Sequence, residues 1–141
     1  TLFGHFITLS KITFLLSEWI TTLNIPSFFI MLIIMLIYLI GGCFVDSLPF
    51  MILTVPIFYP LVVSLGYDPI WFGVIITILT GVGTITPPVG INVYVIKGIT
   101  NGLPLEVIFK GTTLFLVAML IATIILIAFP ALTLFLPNFV Q

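Results

Sequence analysis

From Lys11 to Leu23 the chain sorts its residues by face. Ile12, Leu15, Leu16, Trp19, Ile20 and Leu23 recur at intervals of three and four, while Lys11, Thr13, Ser17, Glu18, Thr21 and Thr22 fill the opposite side. Only Phe14 is out of step. This spacing predicts an amphipathic helix. Too short and too polar to span a bilayer, it is expected to lie along the headgroups or against a neighbouring subunit, as an arm within residues 1–25. Asn24 and Pro26 stop it.

The pattern then changes. Every residue from Phe28 to Ile40 is apolar, and the run meets Gly41 and Gly42 after only ~20 Å of helix, short for a full crossing. Val45 to Leu65 follows, with Asp46 near its start, prolines at 49, 56 and 60, and a turn signal in Gly66, Tyr67, Asp68 and Pro69. Two ordinary spans fit this stretch. A re-entrant hairpin over 26–66 with its tip near 41–49 fits better, because two ordinary spans would leave glycines and a carboxylate facing lipid. The next unit, 67–103, is too long for one straight helix, and its excess falls in GVGTITPPVG, Gly81 to Gly90. Pro87 and Pro88 remove amide donors while Gly81 and Gly83 let the backbone unwind. A half-helix ending near Leu79, a strip unwound over 81–88 and a second half-helix from near Pro88 are expected. Asn101, Gly102 and Pro104 turn the chain, Glu106 suits the first turn of a last long helix, and a short tail follows Pro130 within 104–141.

Composition places these elements in a membrane. The chain is 62% hydrophobic and 5% charged, with 27 uncharged residues between Glu18 and Asp46 and 28 between Asp68 and Lys97. No soluble domain of this size covers itself with so little charge. The reading is an all-α integral membrane protein embedded in the lipid bilayer. A net charge of -1 points to no nucleic acid. Cys43, the single cysteine, forms no internal disulfide and reads as a small buried residue, and His5 has no ligands beside it in sequence. The sequence opens at Thr1 without a basic, apolar leader, so no cleaved signal peptide is expected, and the chain reads as a piece of a longer polypeptide. Lys97 and Lys110 bracket the Asn101 turn, which puts that turn in the cytoplasm and both the Asp68 loop and the C-terminus outside.

Irregular backbone survives at membrane depth only where protein buries it or it lines a watery cavity. Broken helices present carbonyl ends to cations and an N-terminal end to anions. Thr84, Thr86 and Asn92 add neutral oxygens beside such carbonyls, as sodium would want. An intramembrane carboxylate is by default a site residue. The candidate ion-binding set is therefore Gly42, Asp46 and Ser47 at the hairpin tip with Gly83, Thr84 and Thr86 in the strip. The start of the second half-helix, Pro87, Pro88, Gly90 and Asn92, is the candidate substrate-binding set. The bland alternatives are a packing kink for the strip and a helix N-cap for Asp46. Enzyme chemistry finds no support. GGCFVD lacks the second carboxylate of an intramembrane aspartyl protease, no nucleophile has a base beside it, and no phosphate-binding glycine loop occurs. No cofactor other than sodium as coupling ion is expected.

GGCFVD with PIFYP, LGYDPIWFG from Leu65 to Gly73, and GTITPPVGINVYV from Gly83 to Val95, in this order, resemble the C-terminal part of the large membrane subunit of tripartite ATP-independent periplasmic (TRAP) transporters. The resemblance runs through essentially the whole chain. It implies a sodium-driven secondary transporter of the bacterial inner membrane, built from inverted repeats with re-entrant hairpins and moving as an elevator. It also implies the remaining N-terminal part of the large subunit, a small membrane subunit, and a periplasmic binding protein delivering an organic acid such as a dicarboxylate or a sialic acid. Asp46 and its glycine neighbours match the hairpin tip, Gly83 to Gly90 the unwound segment, and Lys11 to Leu23 a lateral arm helix. With no arginine in the chain, an anionic substrate would be met by half-helix N-termini, bound sodium or the missing half. A channel component, a proton-coupled carrier and a non-transporting scaffold are the other readings; a pore would conduct far faster than a carrier turns over.

Overall fold

The computed structural model describes residues 24–100 and 102–140 together with Phe6, Lys11, Leu15, Glu18, Trp19, Ile20 and Thr22. The amphipathic arm expected within residues 1–25 lies largely outside the described residues. Among those described there are helices and no strands: α1 (Ser27–Phe44), α2 (Ser47–Ser64), α3 (Pro69–Ile85), α4 (Ile91–Ile99), α5 (Leu105–Ala128) and α6 (Pro130–Val140). Three of them, α1, α2 and α5, are long and apolar enough to cross a membrane.

Each boundary has a local cause. Asp68 caps α3, its Oδ1 accepting from the amides of Ile70 at 2.8 Å and Trp71 at 3.2 Å, with Pro69 in the first helical position where no amide is needed. The α2 helix ends on Gly66 at φ +84°, which lets the Tyr67 amide reach the Val62 carbonyl and the Gly66 amide reach that of Val63. Between α1 and α2 the chain reverses through only two extended residues, Val45 and Asp46.

Packing fixes the topology. Tyr38 is fully buried, with Phe50, Phe58 and Phe72 edge-on to its ring at 5.5, 5.7 and 6.0 Å. Phe50 and Phe58 flank the point on α2 directly across the turn from Tyr38, so α1 and α2 are antiparallel. The Thr54 and Tyr38 hydroxyls, hydrogen-bonded at 3.0 Å, join them. Early in α1, Met31 shares a cavity with Trp71, whereas late in α1 Gly42 touches Thr80; α1 and α3 thus run parallel. The α5 helix returns along α3 and α4, from Phe109 beside Gly90, past Met119 beside Gly81, to Leu126 beside Trp71.

The last of these contacts solves a backbone problem. Pro130 has no amide to offer the Leu126 carbonyl four residues back. The Trp71 indole N–H supplies the missing donor at 3.0 Å. Trp71→Phe should therefore strand that carbonyl and cost roughly 1–3 kcal/mol. Adding Pro130→Ala should recover part of the loss, which thermal melting of the single and double variants would measure.

Several boundaries differ from the sequence reading. Gly41 and Gly42 do not end the first helix, which continues to Phe44. Gly81 and Gly83 do not unwind the third, which runs past Leu79 to Ile85; the irregular strip is Thr86–Gly90, and the second half-helix begins at Ile91 rather than Pro88. Glycine costs a helix about 1 kcal/mol relative to alanine, and tight packing overrides that sum. The missing amides of Pro87 and Pro88 cannot be overridden in the same way. The short tail after Pro130 is itself helical, Pro130–Val140.

Candidate functional site

Gly42 and Gly83 form the closest approach of α1 to α3. A Cβ on Gly83 would stand 2.6 Å from the Leu39 carbonyl oxygen and 2.7 Å from the Gly42 carbonyl carbon; one on Gly42 would stand 2.7 Å from the Thr80 carbonyl oxygen. Backbone lies directly on backbone, the geometry that small residues permit between membrane helices. Thr80 and Thr84, one turn apart on α3, are buried on either side of Gly83. Their hydroxyls donate back into their own helix, Thr80 to the Ile76 carbonyl at 2.8 Å and Thr84 to that of Gly81 at 2.7 Å. Neither buried hydroxyl lacks a partner.

This crossing sets the height of both chain breaks. Val45 follows Gly42 by three residues, and Thr86 follows Gly83 by three. Because the helices are parallel, the α1–α2 turn and the proline strip lie at one level. Both breaks stop about 26 Å from the Asp68 end, whereas α5 is about 36 Å long. The α4 helix packs against both α5 and α3.

Asp46 occupies the N-cap position of α2 yet makes no capping hydrogen bond, and its residue is exposed. Its carboxylate is thus not consumed by helix capping, unlike that of Asp68. Ser47, half-buried, opens α2 beside it. In the strip, the Thr86 hydroxyl donates to the Val82 carbonyl at 2.6 Å and the Thr86 amide to that of Gly83 at 3.1 Å. Pro88 can offer nothing to the Thr84 carbonyl. The Pro87–Pro88 peptide is cis, and both rings are exposed. Gly90 is buried at φ +57°, ψ +74°, and a Cβ there would press on the Thr86 carbonyl at 3.2 Å and the Phe109 ring at 3.3 Å. A left-handed residue in so tight a place has to be glycine. Asn92, assigned to substrate by the sequence reading, donates from Nδ2 to Thr84 Oγ1 at 3.1 Å and so ties α4 to α3 across the strip.

The structure thus brings Gly42 to Gly83 and Thr84 to Asn92, and it sets Asp46 and Ser47 level with Thr86 to Gly90. Among the described residues no side-chain hydrogen bond joins Asp46 to the strip, and no group of three His, Cys, Asp or Glu side chains could hold a metal. What remains for a cation is oxygen from hydroxyls, carbonyls and one carboxylate, a hard-ion donor set. Sequence reasoning missed Thr80, whose backbone is half of the crossing. A threonine pair at i and i+4 flanking a glycine in an apolar helix was the available signal.

Comparison with known proteins decides the family. The family described as "Tripartite ATP-independent periplasmic transporter, DctM component" is matched over residues 1–132. The chain belongs to this family. It is 34% identical over 137 residues to the C4-dicarboxylate TRAP transporter large permease protein DctM of Pseudomonas aeruginosa, covering 97% of this chain and 32% of that protein. The sialic acid TRAP transporter large permease protein SiaM of Vibrio cholerae is 30% identical over 138 residues, 98% of this chain and 32% of that protein. The ectoine/5-hydroxyectoine TRAP transporter large permease protein UehC of Ruegeria pomeroyi is 35% identical over 107 residues, 76% of this chain and 25% of that protein. The DctM-family chain spans about a third of the length of the first two relatives. All three of these relatives are TRAP transporter large permeases, and three helices of this chain are long and apolar enough to cross a membrane.

Proposed function

We propose that this chain is the C-terminal part of the large permease subunit of a sodium-coupled TRAP transporter that imports an organic acid. It works with the N-terminal part of the large subunit, the small TRAP membrane subunit and a periplasmic binding protein that delivers the substrate. The complex sits in the bacterial inner membrane with the C-terminus of this chain on the periplasmic side. In this reading α1 and α2 are a re-entrant hairpin, α3 and α4 a discontinuous membrane helix, and the whole is one half of an inverted-repeat fold that moves as an elevator.

One observation supports the site above all: the Gly42–Gly83 crossing puts an uncapped carboxylate and a proline-broken helix at one level. Sodium would be held by Asp46, Ser47 and the tip backbone at Gly42 together with Gly83, Thr84 and Thr86. A cation placed there neutralises the carboxylate and the carbonyl ends, and makes a nearby organic anion tolerable. The amide ends after Pro87 and Pro88, from Gly90 into α4, would face the substrate's negative charge. Asn92 would contribute by holding the two half-helices in register as well as by contact. The relatives' names range over C4-dicarboxylate, sialic acid, ectoine and isethionate, so the class proposed is a small organic acid or zwitterion.

The test is uptake into proteoliposomes containing the full-length large subunit and its small partner, with binding protein outside. Accumulation that requires both an inward sodium gradient and the binding protein is the expected result. Accumulation driven equally by a proton gradient without sodium would sink the coupling assignment, and ion currents far above carrier rates would replace the carrier with a pore.

A further inference from the structure

The α2 helix has two unlike faces. Phe50, Met51, Val55, Phe58, Leu61 and Val62 point into the core shared with α1 and α3. On the opposite face Pro49, Leu53, Pro56, Pro60 and Val63 follow one another at three- and four-residue spacing, so all three prolines of the helix share a single stripe away from the core, Pro49 exposed and Pro56 and Pro60 half-buried. Leu53 and Val63 on that stripe are 45% and 46% exposed, and its neighbours Ile52 and Tyr59 are also exposed.

Pro56 and Pro60 have no amide hydrogen, so the carbonyls of Ile52 and Pro56, four residues back, lose their helical donors. Carbonyls without donors are costly against hydrocarbon, where no water replaces the lost bond. The exposed face of α5 is built differently. The α5 helix runs 24 residues without a proline, and Leu114, Phe115, Ile121 and Ile124 cover its outer side. Along its outer side the backbone satisfies itself, as a lipid-facing helix must, and the one carbonyl that Pro130 strands, that of Leu126, is served from the inner side by Trp71.

We propose that the proline stripe of α2 faces protein rather than lipid. Its occupant is the part of the same large subunit that lies outside this chain, which supplies hydroxyl or amide donors to the Ile52 and Pro56 carbonyls within an otherwise apolar contact. The length of the relatives supports that occupant: this chain covers 32% of the first of them, so two thirds of such a subunit must meet some face of this third. The outer side of α5 has no unmet hydrogen-bonding need and gains nothing from burial against protein that lipid does not give. The α2 stripe does gain, because only protein offers fixed donors together with an apolar surround. The inference rests on the large-subunit reading of the chain but not on its ion, substrate or transport cycle.

The experiment uses the full-length subunit in lipid vesicles, cysteine-free through Cys43→Ala and equivalent changes elsewhere. A nitroxide is attached at Leu53→Cys or Val63→Cys on α2, and at Leu114→Cys or Ile124→Cys on α5. Relaxation by oxygen reports lipid contact, and relaxation by a water-soluble nickel chelate reports aqueous contact. The α5 sites should respond strongly to oxygen, while both α2 sites should show a several-fold loss of response to oxygen and none to nickel. Oxygen accessibility on α2 equal to that on α5 would overturn the proposal, and so would nickel accessibility, which would make the stripe a water-lined wall. Should the labelled variants fail to fold, a benzophenone amino acid at Tyr59, which borders α3, gives the same answer: cross-links to the part of the subunit outside this chain support the interface, and lipid adducts or cross-links confined to α3 overturn it. Neither readout depends on uptake, so a failed transport assay and a failed interface assay are distinguishable.

Discussion

Gly83→Val is expected to unfold the α1–α3 crossing and with it the site. The added side chain would enter a space already occupied by the Leu39 carbonyl and the Gly42 backbone. A flexible side chain in that position could swing away, but a helix backbone yields only by moving the whole helix. The expected cost is roughly 3 kcal/mol or more, at the upper end for overpacking in a well-filled core. It should register as a lowered melting midpoint of the purified subunit and loss of sodium-dependent uptake. Gly42→Val should behave alike, since its side chain would meet the Thr80 backbone. Gly73→Ala is the control. Nothing lies within 4 Å of a Cβ there, so a mid-helix alanine should be neutral or stabilising by about 0.5–1 kcal/mol. If Gly83→Val melted with the wild type, the backbone contact between α1 and α3 would have no structural consequence and the common level of the two breaks would lose its basis.

Asp46→Asn should separate folding from ion coupling. The carboxylate is exposed and makes no capping bond, so removing its charge should leave melting within about 0.5 kcal/mol of the wild type. Its proposed work is as a sodium ligand. A hydrogen bond or contact to a charged group is worth roughly 1.5–3 kcal/mol, about 10- to 100-fold in an equilibrium constant. The sodium concentration for half-maximal uptake should rise by that factor, with Asp46→Glu intermediate. An unchanged sodium dependence would remove Asp46 from the site. A large drop in melting temperature would instead mark it as structural, against the absence of any cap bond.

How much of this was legible in the sequence depends on how local the physics is. The apolar runs, the Gly66 turn, the Pro69 start of α3 and the existence of a break near Pro87 and Pro88 were readable, because each follows from what one residue can or cannot do with its own backbone. So was Asp46 as the carboxylate at the turn. The placement of the break was not. Gly41, Gly42, Gly81 and Gly83 look like helix breakers, yet all four lie within helices, since a glycine's cost to a helix is smaller than what a close helix contact returns. Asn92 read as a ligand, and the fold uses its amide to hold Thr84 across the strip.

The sequence by itself determined an all-helical, membrane-inserting chain with two interruptions, because proline's missing amide and the scarcity of charge act wherever the chain goes. Only the tertiary structure decided that the interruptions share one level, that Trp71 stands in for the amide Pro130 lacks, and that the proline stripe of α2 is the side turned away from the aromatic core. Those outcomes depend on which backbones can touch, and contact between Gly42 and Gly83, 41 positions apart, is a property of helix packing that no local pattern encodes.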